Sequence, residues 1–428
     1  MDEAMMNKAG ADQGNGGMQG LPPIAVRSSR VQTVVNCQVP DKVPFIPTVG
    51  NFYATGYGIT IEAAMKDLKL MIPVMDKFLP KYDPDLVFSP LFFPIKPMEF
   101  AGYKNARWPG EYHQLPPDTP YQYLDQEYLQ DDGYEDYLKD PSAFLMKNLL
   151  AKRFKAFEGL QFLDIPTLCT QAIYTLAPLA APPVKQALEN MLKTADLVME
   201  SLQDAVALDM HIIGKGYPVF GGLTVLQPFD DFADNVRGLL ATTMDLLEDP
   251  ELVNEAVTRW GDVTIPATVA NAKRQHAQYA FIPLHGGMDS FMSPDNYEKY
   301  YWPHLKRLIL ALVAADVTPI CVCEGTYNTR LEVLTDVPKG KVMYMFEDVD
   351  LKRAKEVLSG TACFGGGMPT QLLMEGSSVQ AVREQVKRCL DICAPGGGFF
   401  MTNSISLDNV EHEFMEAWVE ALDMYGKY

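Results

Sequence analysis

Residues 281–325 read FIPLHGGMDSFMSPDNYEKYYWPHLKRLILALVAADVTPICVCEG, and this stretch predicts a strand, a loop, a helix and a second strand. The first strand covers residues 279–284, and the second is the apolar run 318–323. The helix begins at Pro294, and side chains for a buried face recur along it at three- and four-residue steps: Tyr297, Tyr301, Leu305, Leu308 and Leu312. A helix between two such strands forms a right-handed β-α-β unit, so we expect the strands to be parallel neighbours.

Reactive side chains stand at the C-terminal ends of both predicted strands. His285 and Asp289 follow the first strand, whereas Cys321, Cys323 and Glu324 lie at the end of the second. The C-terminal ends of parallel strands share one edge of the sheet, and ligands bind at that edge in α/β proteins. The sequence therefore predicts a site that gathers an imidazole, two carboxylates and two thiols.

Strands and helices alternate through most of the chain, which predicts an α/β fold with a parallel sheet. Further strands are predicted within six segments: residues 43–49, 85–92, 212–229, 341–346, 361–364 and 398–402. With the intervening helices they make about eight β-α units, so a (β/α)8 TIM barrel is the predicted architecture and an open doubly wound sheet is the alternative. One of these helices, at residues 61–78, is expected to kink or break at Pro73.

Two segments depart from the barrel pattern. Residues 1–35 are predicted to be a flexible N-terminal tail with a short helix at 28–35, and residues 36–428 to form the barrel domain. Residues 93–138 are crowded with proline, tyrosine, tryptophan and acidic residues, and they predict a long insertion near the barrel mouth. Such an insertion is either a lid or rim over the mouth or an ordinary surface insertion with aromatic residues packed underneath.

Composition limits the classes of partner and compartment. The 428 residues include 55 acidic and 36 basic side chains, a net charge of -19, which argues against nucleic acid as the main partner. Without an apolar run of about 18 residues we expect no membrane span, and the N-terminus lacks the pattern of a secretory signal. The seven cysteines, an odd and sparse number, indicate reduced thiols in the cytoplasm.

Several phrases of the sequence resemble the uroporphyrinogen decarboxylase family, which also contains cobamide-dependent methyltransferases. They are PDKVP from Pro40, PFDDFADNVRGLLATTMDLLEDPELV from Pro228, MSPDNYEKYYWPHLKRLI from Met292, CEGTYNTRLEVL from Cys323, GGGMPTQLLMEGSSVQAV from Gly365 and GGGFFMTNSISLDNV from Gly396. The resemblance covers nearly all of the chain beyond the first ~35 residues, and it implies a distorted (β/α)8 barrel that is often dimeric.

The chain departs from both branches of that family. The decarboxylases resemble one another in an RQAGRYLPEY phrase whose arginines hold porphyrinogen carboxylates, whereas this chain has RSSRVQTVV and PDKVPFIPTVGNFY there. The methyltransferase branch implies zinc held by a His-x-Cys pair and a last-strand cysteine. Here Cys321-Val322-Cys323 replaces the pair, and Asn403 lies where the last-strand cysteine is expected. A relocated zinc site would use Cys323, Glu324, His285 and Cys363, since thiolate, imidazole and carboxylate all bind zinc.

The resemblance and the polar edge together predict a corrinoid-dependent methyltransferase in an anaerobic host. It would move a methyl group between a small donor, a methoxylated aromatic or a quaternary amine, and the corrinoid of a partner protein. Candidate catalytic residues are His285, Asp289 and Glu324, and candidate substrate-binding residues are Tyr327, Asn328, Arg330 and Asn403. The alternatives are a metal-independent decarboxylase of another substrate and a non-catalytic corrinoid- or tetrapyrrole-binding protein.

Overall fold

A computed structural model describes residues 21–164, 168, 173–221, 223–403 and 406–428 of the chain. Within these residues the strands are β1 (Ala106–Arg107), β2 (Gln122–Tyr123), β3 (Tyr279–Leu284), β4 (Thr318–Thr326), β5 (Met343–Asp348), β6 (Cys363–Met368) and β7 (Phe399–Asn403). Strands β1 and β2 form an antiparallel hairpin, and β3 to β7 form a parallel sheet in chain order. The chain is therefore an α/β protein with a parallel sheet, as predicted.

The predicted β-α-β unit is confirmed. Strands β3 and β4 pair in parallel, with Tyr279 opposite Thr318 and Leu284 opposite Cys323. The connecting helix begins at Pro294, after Ser293, whose hydroxyl accepts a hydrogen bond from a backbone N–H of the first turn. It passes through a π-helical turn and continues as helix Trp302–Val313, which packs on β4.

Three further segments join the sheet through isolated parallel bridges. Thr224 bridges to Phe281 of β3, Val219 bridges to Val87, and Phe45 bridges to Met401 of β7. The strands predicted at 43–49 and 85–92 thus form isolated bridges in place of continuous ladders. Prolines lie within these segments or directly before them (Pro44, Pro47, Pro84 and Pro90), and each proline lacks the backbone N–H donor that a continuous ladder needs.

Strand alternation divides the buried side chains into two layers. An inner cluster contains Ile46, Leu86, Phe220, Tyr279, Ile320, Met343, Met345, Cys363 and Phe400. The larger cluster lies between the sheet and the outer helices, and it includes Ile282, Leu284, Cys321, Cys323 and Tyr344. Neighbouring residues of one strand, such as Ile320 and Cys321, therefore face opposite layers.

Helix Pro23–Val35 closes the inner cluster at the N-terminal end of the sheet. Val31, Val34 and Val35 are buried in this cluster, and the residues just after the helix approach the backbone next to Gly340 and Gly397, ahead of β5 and β7. This corrects the prediction of a flexible tail for the part from Pro23 onward, because burial of three valines fixes the helix. Residues 1–20 of the predicted tail lie outside the described residues.

Of the remaining helices in the described residues, Leu351–Leu358 and Val379–Cys393 pack on β6. The α-helices are Phe52–Thr55, Ile61–Lys66, Met71–Tyr82, Ile95–Ala101, Tyr134–Lys139, Pro141–Phe144, Ala151–Arg153, Pro182–Gly214, Pro228–Phe232, Leu239–Glu248, Pro250–Gln275, Leu351–Leu358, Val379–Cys393 and His412–Tyr425. In the part of the chain that the structure describes, the 3-10 segments are Leu68–Leu70, Asp131–Gly133, Lys155–Phe162, Ile173–Ala180, Val333–Thr335 and Thr370–Leu373, and the π turns are Leu145–Leu150, Ala233–Arg237 and Tyr297–Tyr301. Across the described part of the chain, no helix is long and apolar enough to cross a membrane.

The helix predicted at 61–78 breaks at a different residue from the one expected. It stops after Lys66, and Asp67 starts a 3-10 turn by accepting the backbone N–H of Lys69. Pro73 lies in the first turn of Met71–Tyr82, where a backbone N–H has no partner within the helix, so it causes no break.

Candidate functional site

His285 and Glu324 meet at the C-terminal ends of β3 and β4. Leu284 pairs with Cys323 in the parallel register, so the residues that follow them, His285 and Glu324, lie side by side. The Nδ1 atom of His285 lies 2.8 Å from Oε2 of Glu324. Two of the predicted catalytic residues are therefore in direct contact, and both side chains remain about one third exposed, at 32% and 38%.

An earlier helix supplies carboxylates to the same imidazole. Asp234 lies in the π turn Ala233–Arg237, and its Oδ2 atom is 3.5 Å from Nε2 of His285. Asp230, one turn before it, is completely buried and accepts hydrogen bonds from the backbone N–H groups of His285 at 3.0 Å and Gly286 at 2.9 Å. The Tyr301 hydroxyl also donates to Asp230, at 2.6 Å. Asp230 thus fixes the backbone that carries the imidazole, while Asp234 faces its second nitrogen.

Neighbouring charges decide the protonation of His285. Burial alone would lower its pKa, but the hydrogen bond to Glu324 and the charges of Asp230, Glu324 and Asp234 raise it to about 9. Burial raises the pKa of Asp234 to about 7, against the opposing effect of the His285 charge. These neighbours favour the protonated form of His285.

This arrangement provides an acid that is held in one orientation. Glu324 forms a hydrogen bond of 2.8 Å with Nδ1 of His285. The distance of 3.5 Å between Nε2 and Asp234 is longer than a normal hydrogen bond. A substrate atom close to Nε2 can therefore receive its proton, and Asp234 is placed to exchange protons with the same nitrogen.

Asp289 and Arg330 join two loops at the edge of the site. Asp289 accepts a hydrogen bond from the Thr329 hydroxyl at 2.7 Å. The Arg330 side chain is 1% exposed, donates to the carbonyl of Gly287 at 3.1 Å and also donates to the carbonyl of Met292. The guanidinium is thus engaged with the loop that follows β3, and it is not open to a ligand.

The other predicted substrate-binding residues also take part in internal contacts. Tyr327 is fully buried, Asn328 accepts the backbone N–H of Asp350 at 2.7 Å, and Asn403 of β7 exchanges hydrogen bonds with Thr48. The contact between Asn403 and Thr48 links the last strand to the first bridging segment. The structure does not bring Tyr327, Arg330 or Asn403 to the imidazole.

The four predicted metal ligands are not assembled. Cys323 is completely buried in the layer between sheet and helices, on the face of β4 opposite to Glu324. Cys363 is buried in the inner cluster, and its thiol points to the carbonyl of Val342 at 3.6 Å. Burial raises the pKa of both thiols, which disfavours the thiolate form that binds zinc.

The described residues contain no group of three or more histidine, cysteine, aspartate or glutamate side chains that could hold a metal ion. His285 and Glu324 meet, but the cysteines do not join them. The residues present therefore do not fit the zinc site that the resemblance implied, and we derive no reaction step through a metal.

Asp230, Asp234 and Tyr301 were not among the predicted site residues. A signal for the two aspartates exists in the phrase PFDDFADNVRG, where they are four residues apart and so share one helix face. No local pattern, however, indicates that this helix approaches β3.

A family model described as "Uroporphyrinogen decarboxylase (URO-D)" matches residues 175–422. The chain belongs to the uroporphyrinogen decarboxylase family. This membership confirms the resemblance seen in the sequence, and the matched region contains His285, Glu324 and both aspartates.

Individual relatives of this family member are distant. Uroporphyrinogen decarboxylases of Citrifermentans bemidjiense and of Geobacter sp. (strain M21) are each 33% identical to it over 106 residues, which is 25% of this chain and 29% of theirs. The match thus spans less than a third of these relatives. A methyltransferase from Methanosarcina mazei is similar in fold, with a TM-score of 0.60 and 13% identity over 93% of this chain and 98% of that one.

Proposed function

We propose that this family enzyme transfers a methyl group between a small methylated donor and the cobalt of a corrinoid bound to a separate protein. The observation that supports the proposal most directly is the environment of His285: its pKa is raised to about 9, its Nδ1 is held by Glu324, and its Nε2 lies 3.5 Å from Asp234. Removal of a methyl group leaves electrons on a heteroatom, and a positioned acid that protonates this atom accelerates such a step by about 10²–10⁴-fold.

Each polar residue has a separate role in this proposal. His285 gives its Nε2 proton to the leaving heteroatom, and Glu324 holds the ring and stabilises its positive charge. Asp234 lies 3.5 Å from Nε2, where it restores the proton from solvent. Asp230 positions the backbone of His285, and Asp289 holds the following loop.

We further propose that these residues lie at the mouth of a distorted (β/α)8 barrel. The bridges of Thr224 with Phe281, Val87 with Val219 and Phe45 with Met401 support this architecture. A hydrogen bond of 2.7 Å from the Asp85 N–H to the Phe45 carbonyl supplies the remaining link between the first two segments. In a barrel of this kind the C-terminal ends of the strands carry the active site.

A porphyrinogen with many carboxylates does not suit this mouth. The arginines next to it already donate to protein groups: Arg330 to the loop after β3, Arg237 to the carbonyl of Leu129 and to Asp245, and Arg153 to the carbonyl of Asn235. The mouth itself presents the carboxylates of Asp234 and Glu324. Recognition of a polyanion requires charges of the opposite sign.

A second candidate is the decarboxylation of a substrate other than a porphyrinogen. The protonated His285 favours it, since an imidazolium attracts a carboxylate and returns a proton to the carbon that loses carbon dioxide. A corrinoid- or tetrapyrrole-binding protein without catalysis is the third candidate. For all three candidates we propose that the protein is cytoplasmic. For methyl transfer we also propose that the enzyme is a homodimer and that a corrinoid protein docks at the barrel mouth.

The test is methyl transfer by the full-length enzyme to free cob(I)alamin without oxygen. Methoxylated aromatics and tetramethylammonium serve as donors, methylcobalamin is measured by absorbance, and carbon dioxide release is measured with methoxylated benzoic acids. We expect methylcobalamin to form, and His285→Gln to reduce its rate by about 10²–10⁴-fold. His276→Asn is the matched control, because His276 is exposed at a helix end. Release of carbon dioxide without formation of methylcobalamin would instead identify a decarboxylase. If neither product forms, the third candidate, a binding protein without catalysis, is favoured.

A further inference from the structure

The helix Pro182–Gly214 carries an apolar stripe that faces solvent. Leu197, Leu208 and Ile212 are buried on the opposite side of the helix and anchor it to the rest of the molecule. The residues of the stripe, which form the helix seam, recur at three- and four-residue steps: Leu192, Ala195, Met199, Leu202, Val206 and Met210. All six are exposed, and the five larger side chains are 50–71% exposed. A continuous apolar face of this kind indicates an interaction surface.

The charges beside the helix seam argue against a membrane or a nucleic acid as its occupant. Residues 194–210 include four acidic side chains and no lysine or arginine. Helices that lie on membranes, and helices that contact nucleic-acid phosphates, carry basic residues on their polar face. Glu200 pairs with Lys96 and Asp204 with Lys69, each at 2.7 Å. Because these two carboxylates are engaged within the chain, the seam offers chiefly apolar contact.

The helix seam is complementary to itself. Its centre lies between Met199 and Leu202. When two copies of the helix run antiparallel about a two-fold axis at this point, Met199 lies opposite Leu202 of the second copy, and Leu192 lies opposite Met210. The small Ala195 then lies opposite a valine. Large side chains thus meet at the centre and at both ends, as a two-fold interface between identical surfaces requires.

The helix seam is also large enough to be the core of a stable interface. At roughly 30 Å² for each buried methyl or methylene group, the exposed parts of its side chains amount to about 400 Å² per copy. Homodimer interfaces are about 65% apolar, so two such seams correspond to a total interface of about 1,200 Å². This area lies at the lower end of the range for stable complexes, about 1,200–2,000 Å².

We propose that the helix seam is a homodimer interface, in which Pro182–Gly214 pairs antiparallel with the same helix of a second copy of this chain. The inference rests on the homodimer of the proposed function and assigns its contact surface. His285 contacts Asp230, Asp234 and Glu324, none of which belongs to this helix. The pairing therefore uses a surface other than the candidate site.

The first test is the molar mass of the full-length chain, measured by analytical ultracentrifugation at micromolar concentration. We expect the wild type to be a dimer. Leu202→Asp places a carboxylate at the centre of the seam in each copy, so it should raise the dissociation constant by about 10²–10³-fold. Leu310→Asp is the matched control, because this leucine is 42% exposed on helix Trp302–Val313, and it should remain dimeric.

Two outcomes of this test would overturn the inference. A monomeric wild type would leave the helix seam to a different protein. A dimer that Leu202→Asp leaves intact would place the interface on another face. Circular dichroism checks that both aspartate variants keep the helical content of the wild type, so that a loss of dimer is not a loss of fold.

The second test measures the orientation of the two helices by cross-linking. Leu192→Cys and Met210→Cys are prepared singly and as a double variant, and each protein is treated with a short bismaleimide. The two positions lie about 27 Å apart along one helix, which is too far for a link within one chain. We expect covalent dimers from the double variant alone, with the wild type as the control for native thiols. Covalent dimers from either single variant would indicate parallel helices and would overturn the inference.

Methyl transfer to cob(I)alamin, measured on the same samples, separates this inference from the proposed function. A monomeric wild type that forms methylcobalamin would overturn the interface and preserve the reaction. A dimer that passes both tests but forms no methylcobalamin would support the interface and overturn only the reaction.

Discussion

At the residue scale, the proposed chemistry depends on His285 and on the side chains that touch it. The imidazole contacts Glu324 from a neighbouring strand and approaches Asp234 from a helix, while Asp230 holds its backbone. The acidic side chains around the imidazole raise its pKa and favour its protonated form. Cys323 lies on the same strand as Glu324, but its side chain points into the layer between the sheet and the helices. It therefore takes no part in this group.

The proton on His285 should limit the pH range of the enzyme. Its pKa rises from 6.5 to about 9, so the acid is present at lower pH and is lost as the pH rises through about 9. We expect kcat to fall above about pH 9. In Glu324→Gln, kcat should fall at a lower pH, because this variant lacks the carboxylate whose charge and hydrogen bond raise the pKa of His285. The same contacts stabilise the fold fully below pH 6.5, and this contribution is lost on passing pH 9.

An NMR titration of the histidine side chains measures the shift directly. Asp289→Asn is the matched control, because its carboxylate bonds to Thr329 and not to His285. An unchanged midpoint for His285 in Glu324→Gln would contradict the assigned role of Glu324.

The position of Cys323 leads to a second prediction at this scale. Cys323→Ser should leave the metal content of the protein unchanged, because the thiol does not face His285 or Glu324. It should lower the free energy of unfolding by about 1–3 kcal/mol, since a hydroxyl replaces a thiol in an apolar layer. Elemental analysis and urea unfolding measure the two effects, with the less buried Cys37→Ser as control. Zinc near one per chain in the wild type that disappears in Cys323→Ser would refute this account.

At the scale of elements, the insertion 93–138 supports the helix that carries Asp234. The backbone N–H groups of Tyr128 and Leu129 both donate to the carbonyl of Val236, at 3.0 and 2.9 Å. The Tyr123 hydroxyl donates to the carbonyl of Asp234 itself. The insertion therefore packs beside the site and helps to set the distance between Asp234 and His285.

Arg237 is the residue that best tests this support. It is 3% exposed, and its guanidinium donates to the Leu129 carbonyl at 2.9 Å and to Asp245 at 2.7 Å. Arg237→Ala should destabilise the protein by about 3–5 kcal/mol, because it leaves a partly buried carboxylate without its cation. Urea unfolding and limited proteolysis of the insertion measure the loss. The exposed Arg259→Ala should change neither, and equal effects of both variants would refute the role of Arg237.

At the scale of the whole molecule, helix Pro23–Val35 closes the sheet at the end opposite to the candidate site. Beside its buried valines, Arg30 donates to Asp41 at 2.7 and 2.6 Å and to the buried Asp85. Asp85 in turn accepts the backbone N–H of Phe45 at 2.8 Å. This group connects the N-terminal helix to the first two bridging segments, where regular strand pairing is sparse.

Removal of the Arg30 charge should therefore weaken the entire fold. Arg30→Ala leaves the carboxylate of Asp85 buried without a cation, and we expect a loss of about 3–5 kcal/mol in the free energy of unfolding. Arg27→Ala is the matched control on the same helix, since its partner Asp83 is 48% exposed, and it should cost about 1 kcal/mol or less. Urea denaturation measures the free energy of unfolding of both variants. Similar midpoints for Arg30→Ala and Arg27→Ala would refute the larger contribution assigned to the buried pair of Arg30 and Asp85.

Local sequence patterns are enough to predict the parallel β-α-β unit, the helix Val379–Cys393 and the approach of His285 to Glu324. These follow from local periodicity and from the rule that parallel strands end at one edge, and both are properties of short segments. The family was also recognisable from short phrases.

The layer that each cysteine faces, and the distant residues that complete the site, depend on how the whole chain packs. Cys321 and Cys323 share one face of β4, but the sequence does not say whether this face is the inner side or the helix side. Asp230 and Asp234 precede His285 by more than fifty residues, and only the packing of their helix against β3 brings them together. Long-range contacts of this kind depend on the whole core, so no local pattern encodes them.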